Sequence, residues 1–302
     1  MTLLIANCFG TALDVDANAV AAALANLPPD TPIVVMIHGY RFSPGSGIDC
    51  PHQHIFALTP NPRAHRAISW PRHLGFGTDR AQGLCIAFGW QAKGSLWGAY
   101  RRAQNAATAL AALIALLRSK APGRRVDIIA HSLGARVALQ ALHHIAPGDA
   151  GRLILLAPAE FRHAASAAMA TPAAQMAEVI SVTSRENDVF DFILEFLLAG
   201  GFYPGLGHGL AAPRANWTDL QLDHAQTVTA LANLGFRLPA ARARFCHWSP
   251  YSRPGVFALY RALLSGDLAL PTLRAALPPA AERRWARFLP GAQPLPLPAN
   301  QA

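Results

Sequence analysis

Cysteine and charge are both scarce in this chain. Of its 302 residues only 4 are cysteine, and only 14% are charged. The cysteines stand far apart without C-x-x-C spacing, which argues against a disulfide scaffold or a zinc ribbon and predicts a reducing, cytoplasmic location. Because 52% of the residues are hydrophobic, the composition excludes a disordered chain and predicts a domain with a large buried core.

Long apolar runs and basic runs are also missing. The Ala-rich stretch 103–117 is interrupted by Gln104, Asn105 and Thr108 and is shorter than the ~20 residues of a membrane span, so we expect a core helix. Residues 1–8 lack a charged leader region and predict a first strand rather than a signal peptide. The net charge of +9 comes from scattered arginines. We therefore expect neither nucleic-acid binding nor stable membrane insertion.

A serine between small residues is the main functional motif. Residues 124–129 give a polar entry into a short buried strand, Ser132 follows after Ala130 and His131, and 135–142 continues with helical spacing. Ala130 and Gly134 flank the serine at the two positions where a tight turn has no room for a larger side chain. Glycine is usual at both, so Ala130 adds one methyl group. The pattern predicts a nucleophile elbow at Ser132, with an ordinary helix-capping serine as the alternative.

A second motif supports the elbow. Residues 31–40 form an apolar run that ends in His38-Gly39-Tyr40, well ahead of the serine. A tetrahedral intermediate needs two backbone N–H groups directed at its oxyanion. We expect these donors to be the amides of Tyr40 and Leu133, with Gly39 permitting the bend and His38 serving as a structural hydrogen-bonding residue.

The remaining members of a catalytic triad should follow the serine in the order acid, then histidine. Three carboxylates follow a predicted strand at 178–184, and Asp188 is preferred over Glu186 and Asp191. For the base, His247 lies in an aromatic loop late in the chain, before a predicted helix. His224 begins an amphipathic run and is the competing candidate, better explained as a surface residue at a helix N-terminus.

These motifs together resemble an α/β-hydrolase. More narrowly, residues 3–265 are similar to a group of poorly characterised bacterial serine hydrolases that share Ile37-His38-Gly39-Tyr40, Phe88-Gly89-Trp90, Ala130-His131-Ser132-Leu133-Gly134 and His247-Trp248-Ser249-Pro250-Tyr251. The resemblance implies an α/β fold with a mostly parallel central sheet flanked by helices, and cap or lid excursions over the site. It implies a triad of Ser132, Asp188 and His247, an oxyanion hole at Tyr40 and Leu133, and no cofactor.

We expect one hydrolase domain over residues 1–265 and a helical, Pro-rich extension over 266–302. Excursions at about 41–82 and 190–213 are too long for simple connections and should cover the site. Residues 190, 193, 194 and 197 would form one apolar helix face, either in the core or on a mobile lid. The excursions should supply an apolar wall around the serine, comprising Phe42, Ile55, Phe56, Trp70, Phe76, Phe192, Phe196, Phe202 and Tyr203.

The sequence therefore predicts a serine hydrolase that cleaves carboxylic ester-type acyl bonds through an acyl-enzyme on Ser132. Its expected substrate is a small apolar acyl ester. An acyltransferase or thioesterase with the same triad, and a non-catalytic α/β-hydrolase scaffold, are the alternatives. Cys50, His52 and His54 would share a face of an extended segment, where they could hold a metal, but a polar loop is the preferred interpretation and no metal is predicted.

Overall fold

An eight-stranded sheet is the central layer of the computed structural model, which describes residues 3–28, 30–64, 67–77, 83–241 and 243–286. The strand order is β2-β1-β4-β3-β5-β6-β7-β8, and only the β1–β2 pair is antiparallel. The strands are β1 (Leu3–Phe9), β2 (Ala12–Val15), β3 (Ile33–Ile37), β4 (Leu84–Gly89), β5 (Val126–His131), β6 (Ala150–Leu156), β7 (Glu178–Thr183) and β8 (Trp217–Gln221).

Helices cover both faces of this sheet, which is why the central strands are apolar at nearly every position. Two separate buried clusters form, one on each face. The first face is covered by α1 (Ala17–Ala25), α3 (Leu96–Lys120), α4 (Leu133–Ala141), α5 (Arg162–Ala168) and α6 (Pro172–Gln175). The second is covered by α2 (Trp70–His73), α8 (Ala225–Asn233), α9 (Ser249–Ser252), α10 (Val256–Ser265) and α11 (Leu270–Ala276).

The predicted fold class is confirmed, since parallel β-α units surround the serine turn. The Ala-rich stretch lies in α3, whose alanines and leucines pack in the first cluster. No helix in the described ranges is both long enough and apolar enough to cross a membrane. Residues 287–302 of the predicted Pro-rich extension, and residues 65, 66 and 78–82 of the first excursion, lie outside the described residues. The division at residue 265 stays a prediction.

The helix α7 (Asp188–Ala199) differs from its predicted pattern. Leu194 is buried, but Ile193 and Leu197 are 42% and 40% exposed. The buried side carries three carboxylates instead, Asp188, Asp191 and Glu195. They can be buried because guanidinium groups accompany them: Arg185 lies 3.2 Å from Asp188, and Arg284 lies 2.6 Å from Glu195. The helix predicted over 190–197 is therefore present, but Ile193 and Leu197 do not pack in the core.

The Cys50, His52 and His54 segment is not arranged as a metal site. His52 Nε2 donates a hydrogen bond to Asn7 Oδ1 over 2.7 Å, and Cys50 is buried. Within the described ranges, no three or more His, Cys, Asp or Glu side chains are grouped so that they could hold a metal ion. The segment is instead the loop after β3, with short 3-10 turns at Gly47–Asp49 and Pro51–Gln53.

Candidate active site

Ser132 occupies a strained turn between β5 and α4. Its φ is 55° and its ψ is −123°, a conformation that residues other than glycine rarely adopt. The backbone around it is fixed, since Ser132 N–H donates to Leu156 O over 2.9 Å and Ser132 O accepts from Ala159 N–H over 3.1 Å. The residue is 4% exposed and lines a cavity of about 580 Å³. This is the strand, turn and helix that a nucleophile elbow requires.

Two glycines permit the loop after β3 to contact the elbow. A Cβ atom on Gly39 would lie 2.6 Å from Ser132 Cβ and 2.9 Å from His131 O. A Cβ atom on Gly134 would lie 2.6 Å from His38 O. These three distances are all shorter than the contacts that real Cβ atoms make. Glycine is therefore required at positions 39 and 134 for the two segments to approach. The approach brings Tyr40 and Leu133 to the same cavity.

Tyr40 and Leu133 have the features expected of oxyanion donors. Among the described residues, neither backbone N–H donates a hydrogen bond to a protein acceptor. His38 is occupied in holding the loop: its Nε2 accepts from Trp90 N–H over 3.0 Å, and its Nδ1 donates to Gly39 O over 2.9 Å. Burial lowers the pKa of His38 to about 3, so the ring is neutral and structural.

His247 lies in the same cavity and is held on three sides. Its Nδ1 is 2.6 Å from Asn187 Oδ1. Its backbone oxygen accepts a hydrogen bond from His131 Nε2–H over 3.0 Å, and Phe190 stacks on its ring with centroids 4.9 Å apart. Within the described residues no hydrogen bond joins His247 to Ser132, a contact that commonly forms only when substrate is bound.

The structure places Asn187, and not Asp188, opposite the imidazole. Asp188 points away from it: one oxygen lies 3.2 Å from Arg185 Nη1, and the other accepts from Trp285 N–H over 2.7 Å. The physical reason is position in the turn. Arg185–Asn187 form a 3-10 turn after β7, and Asp188 is already the first residue of α7, so its side chain follows the helix surface. The pairing of Asp188 with His247 was therefore wrong.

The other sequence candidates have structural partners. Glu186 forms a buried ion pair with Arg253 over 2.7 Å. His224 caps α8, where its Nδ1 accepts from Thr227 N–H over 3.3 Å. Asp191 accepts a hydrogen bond from Asn187 Nδ2 over 2.9 Å. Asn187 therefore lies between Asp191 and the His247 ring.

The electrostatics of the site keep its histidines neutral. Burial, together with repulsion from His131, holds the pKa of His247 well below its usual value of 6.5. Burial likewise lowers the pKa of His131 to about 4. Among the residues that the structure describes, no carboxylate is hydrogen-bonded to the His247 ring, and burial and His131 are the causes of the lowered pKa. A neutral imidazole can accept a proton, as a general base must.

The cavity wall differs from the predicted one. Of the nine expected residues only Phe42 lines the cavity; Ile55, Phe56, Trp70 and Phe76 are buried in the second core cluster, and Phe192, Phe196, Phe202 and Tyr203 are exposed elsewhere. The apolar lining comes from Tyr40, Ile48, Leu96, Leu133, Ala159, Phe190, Ile193, Leu194, Trp248 and Tyr251. Arg41, Arg63, Asp49 and Asp191 are the charged residues of the lining, and Asp49 is paired with Lys93 over 2.7 Å.

Sequence reasoning missed Asn187 and His131. Asn187 lies in the segment predicted to follow β7, but the triad pattern specifies a carboxylate there and so favours Glu186, Asp188 or Asp191. His131 occupies the variable position of the elbow motif, which carries no fixed residue type. A signal for both was their position: each lies at or directly after the carboxyl end of a strand, where ligands collect in parallel sheets.

Comparison with known proteins agrees with the fold. A family model described as an alpha/beta hydrolase of unknown function (DUF900) matches residues 16–185, more than half of the 302 residues. The matched region contains the Gly39 loop and Ser132 and ends just before Asn187. No curated protein matches the chain.

Proposed function

The chain belongs to the DUF900 family of alpha/beta hydrolases, and from this premise we propose that it is a serine hydrolase cleaving carboxylic esters through an acyl-enzyme on Ser132. The observation that carries the proposal is the arrangement of Ser132. It has a strained, fixed backbone and lines an apolar cavity that His247 also lines. Backbone strain at a cavity is typical of catalytic residues rather than of helix caps.

The geometry supports a defined sequence of proton and bond changes. Ser132 Oγ attacks the ester carbonyl carbon while its proton passes to His247 Nε2, and the carbonyl oxygen becomes an oxyanion between the N–H groups of Tyr40 and Leu133. Collapse of this intermediate breaks the bond to the leaving alcohol, which takes the proton from His247. Water then attacks the acyl carbon by the same steps, releasing the acid and restoring Ser132.

Asn187 has a distinct part in this sequence. Its Oδ1 accepts the Nδ1–H of His247, which leaves the lone pair on Nε2 free for the serine proton. With Oδ1 facing the ring, the neutral amide selects this tautomer, although it adds no negative charge to stabilise the imidazolium. All four cysteines are free, which is consistent with the proposed cytoplasmic location.

Ser132→Ala tests the assignment directly. We expect the variant to lose labelling by a fluorophosphonate probe and to lose ester turnover by a factor on the order of 10⁶, because the nucleophile is removed. Far-UV circular dichroism and thermal unfolding provide the control for an intact fold. Labelling that survives the substitution would end the assignment of Ser132.

A histidine pair provides the second test. His247→Ala should reduce turnover nearly as far as Ser132→Ala, since nucleophile and base act as a unit. The matched control is His224→Ala, which removes a histidine outside the cavity and should keep turnover within about tenfold of the parent. If His224→Ala were the inactive variant, the role of base would belong to His224.

A further inference from the structure

An amide beside a catalytic histidine raises a question of orientation. Asn187 could present either Oδ1 or Nδ2 to His247 Nδ1. With Oδ1 facing the ring, Nδ1 carries the hydrogen and Nε2 is free to accept the serine proton. With Nδ2 facing the ring, Nδ1 must accept and the hydrogen moves to Nε2, which can then take no proton. Activity through this site therefore requires something that holds the amide in one orientation.

Asp191 lies where it can do this. Its Oδ1 accepts a hydrogen bond from Asn187 Nδ2 over 2.9 Å, while Asn187 Oδ1 is 2.6 Å from His247 Nδ1. A carboxylate only accepts hydrogen bonds, so a flipped amide would set its own oxygen against a carboxylate oxygen. Asp191 is 4% exposed, and solvent therefore does not compete freely for the amide.

We propose that Asp191 is a positioning residue that fixes the Asn187 amide and, through it, the tautomer of His247. The inference rests on the proposed function of the site, and it adds a fourth member to the chain of contacts behind Ser132. The triad pattern offered Asp191 only as an alternative acid in direct contact with the histidine, and the family match ends at residue 185, before this carboxylate.

The surroundings of Asp191 fix its position as well. A Cβ atom on Gly207 would lie 2.0 Å from Asp191 Oδ2, so the turn at Leu206–His208 closes directly over the carboxylate. The charged groups that act on it are Arg284 and Arg185, which favour its ionised form, and Asp188 and Glu195, which oppose it. Burial raises the pKa of Asp191 to about 7, and it is the ionised form, which only accepts hydrogen bonds, that excludes the flipped Asn187 amide.

A purely structural role for Asp191 would give different results from a positioning role, and three variants separate them. Asp191→Ala removes the acceptor. Asp191→Asn keeps an amide oxygen that can accept from Asn187. The exchange Asn187→Asp with Asp191→Asn keeps the net charge and preserves the contact, because the amide at 191 donates to the carboxylate at 187, which accepts from His247 Nδ1–H.

The primary measurement is the ¹⁵N chemical shift of the His247 ring in each protein without substrate, assigned by comparison with His247→Gln. We expect the parent and the exchange variant to show the Nδ1–H tautomer, and Asp191→Ala to show a mixture. Turnover should follow: kcat falls by roughly 10- to 100-fold in Asp191→Ala, as for other residues that orient a reacting group. KM should stay unchanged. The exchange should recover most of the loss, and Asp191→Asn only part of it, because an amide at 191 can accept from Asn187 but can also donate to its flipped form.

Asp127→Ala serves as the matched control. Asp127 is another largely buried carboxylate, at the start of β5, where it accepts from Arg152 N–H over 2.6 Å. Its loss should lower the unfolding temperature and leave the His247 tautomer as in the parent. The proposal would be overturned if Asp191→Ala likewise lost stability but kept the parent tautomer of His247. It would also be overturned if the exchange variant folded but showed the same mixture of tautomers as Asp191→Ala.

The ring measurement also separates this inference from the proposed function. If the parent protein hydrolyses no ester but Asp191→Ala still changes the tautomer, the function fails and the positioning role stands. If Asp191→Ala does not fold, the other two variants decide the matter: a mixture of tautomers in Asp191→Asn with the parent tautomer in the exchange variant supports the proposal, and the parent tautomer in both contradicts it. A parent tautomer that stays the same in all three variants contradicts the proposal whatever the activity.

Discussion

His247 would act as a base in contact with a neutral partner. Most histidines in such a role contact a carboxylate, which attracts the positive charge that the ring gains during turnover. Here the ring contacts Asn187 Oδ1 at 2.6 Å, and the nearest carboxylate in this chain of contacts, Asp191, stands behind the amide. At the residue scale the result is a ring that stays unprotonated at unusually low pH.

This arrangement predicts a shifted pH profile. For a neutral ester, kcat/KM should remain on its plateau below pH 6.5, because burial and His131 keep the pKa of His247 well below that value. In the variant carrying Asn187→Asp with Asp191→Asn, a carboxylate touches the ring and should raise that pKa by about 1–3 units. The acid limb should then move to higher pH. If the acid limbs of the two proteins coincided, residue 187 would not be in contact with the His247 ring.

The profile needs a folding control at each pH. Burial lowers the pKa of His38 to about 3 and of His131 to about 4 in the folded protein, whereas unfolding restores ordinary values near 6.5. The unfolded state therefore binds more protons between pH 6.5 and about 4, and stability falls as the pH falls through that window. Circular dichroism at each pH separates this loss of fold from titration of His247.

Asn187 also shows what sequence can and cannot resolve at this scale. The spacing located the turn after β7 correctly, and the residue types there offered Glu186, Asp188 and Asp191. The conformation of one turn decides which of several consecutive side chains faces the histidine. Here residues 185–187 form a 3-10 turn, which directs Asn187 toward His247. That conformation depends on packing with the distant His247 loop, including the bond from Cys246 N–H to Glu186 O at 2.9 Å.

Among the elements, the loop after β3 and the elbow function as one unit. They touch through Gly39, whose absent side chain leaves room for Ser132 Cβ. The loop is also fixed from its other side, since Trp90 Nε1–H donates to His38 O over 2.9 Å and the two rings stack. The position of Tyr40 relative to the nucleophile thus depends on contacts from both β4 and β5.

Gly39→Ala should therefore misplace the oxyanion donor. The added carbon must displace either Ser132 or the His131 backbone, and a displacement of about 1 Å near the reacting atoms costs on the order of 10² in rate. We expect kcat for an ester to fall by that factor, with a loss of about 1–3 kcal/mol in the free energy of unfolding from overpacking. Steady-state kinetics and urea unfolding measure the two effects.

Gly98→Ala is the control for this substitution. Gly98 lies in the first turn of α3, where an added carbon would meet the flexible end of Arg102 and the Ser95 hydroxyl at 3.0 Å. These groups can move, so both kcat and stability should stay near the parent values. Parent-like kcat in Gly39→Ala would show that the loop does not supply an oxyanion donor.

Elements were more predictable than side-chain directions. The strands β3, β4 and β7 follow from short apolar runs bounded by turn residues, because buried parallel strands have little polar character. The strand β2 was not predicted, since it pairs at the sheet edge and alternates between exposed and half-buried residues. The helix α7 was predicted but its buried carboxylates were not, because ion pairs with Arg185 and Arg284 bury acidic groups that an apolar pattern places on the exposed side.

The whole molecule places a largely apolar cavity of about 580 Å³ beside Ser132. That volume lies within the range of small-molecule sites, and its walls come from the β3 loop, the elbow, α7 and the His247 loop. The expected apolar enclosure is present with different residues. The large aromatic residues of the first excursion, such as Phe56 and Trp70, pack in the core because they hold that excursion against α9 and α10.

This cavity predicts a preference for neutral acyl groups. Across a panel of esters, kcat/KM should be highest for small to medium unbranched acyl chains and fall by up to about a thousandfold when the acyl chain ends in a carboxylate. The reason is that burying an unpaired charge costs several kcal/mol. Amides of the same acyl groups provide the control for bond type. If kcat/KM were higher for a carboxylate-bearing substrate than for every neutral ester, Arg41 and Arg63 would be the determinants of specificity.

The bonds around Ser132 have a consequence for how the protein loses activity on heating. Its N–H and C=O are both joined to the segment that ends β6, through Leu156 and Ala159. The nucleophile therefore cannot leave its position by a local loosening of a loop, because such a movement would open the centre of the sheet. Thermal inactivation should then coincide with cooperative unfolding, and residual activity becomes a direct measure of the folded fraction.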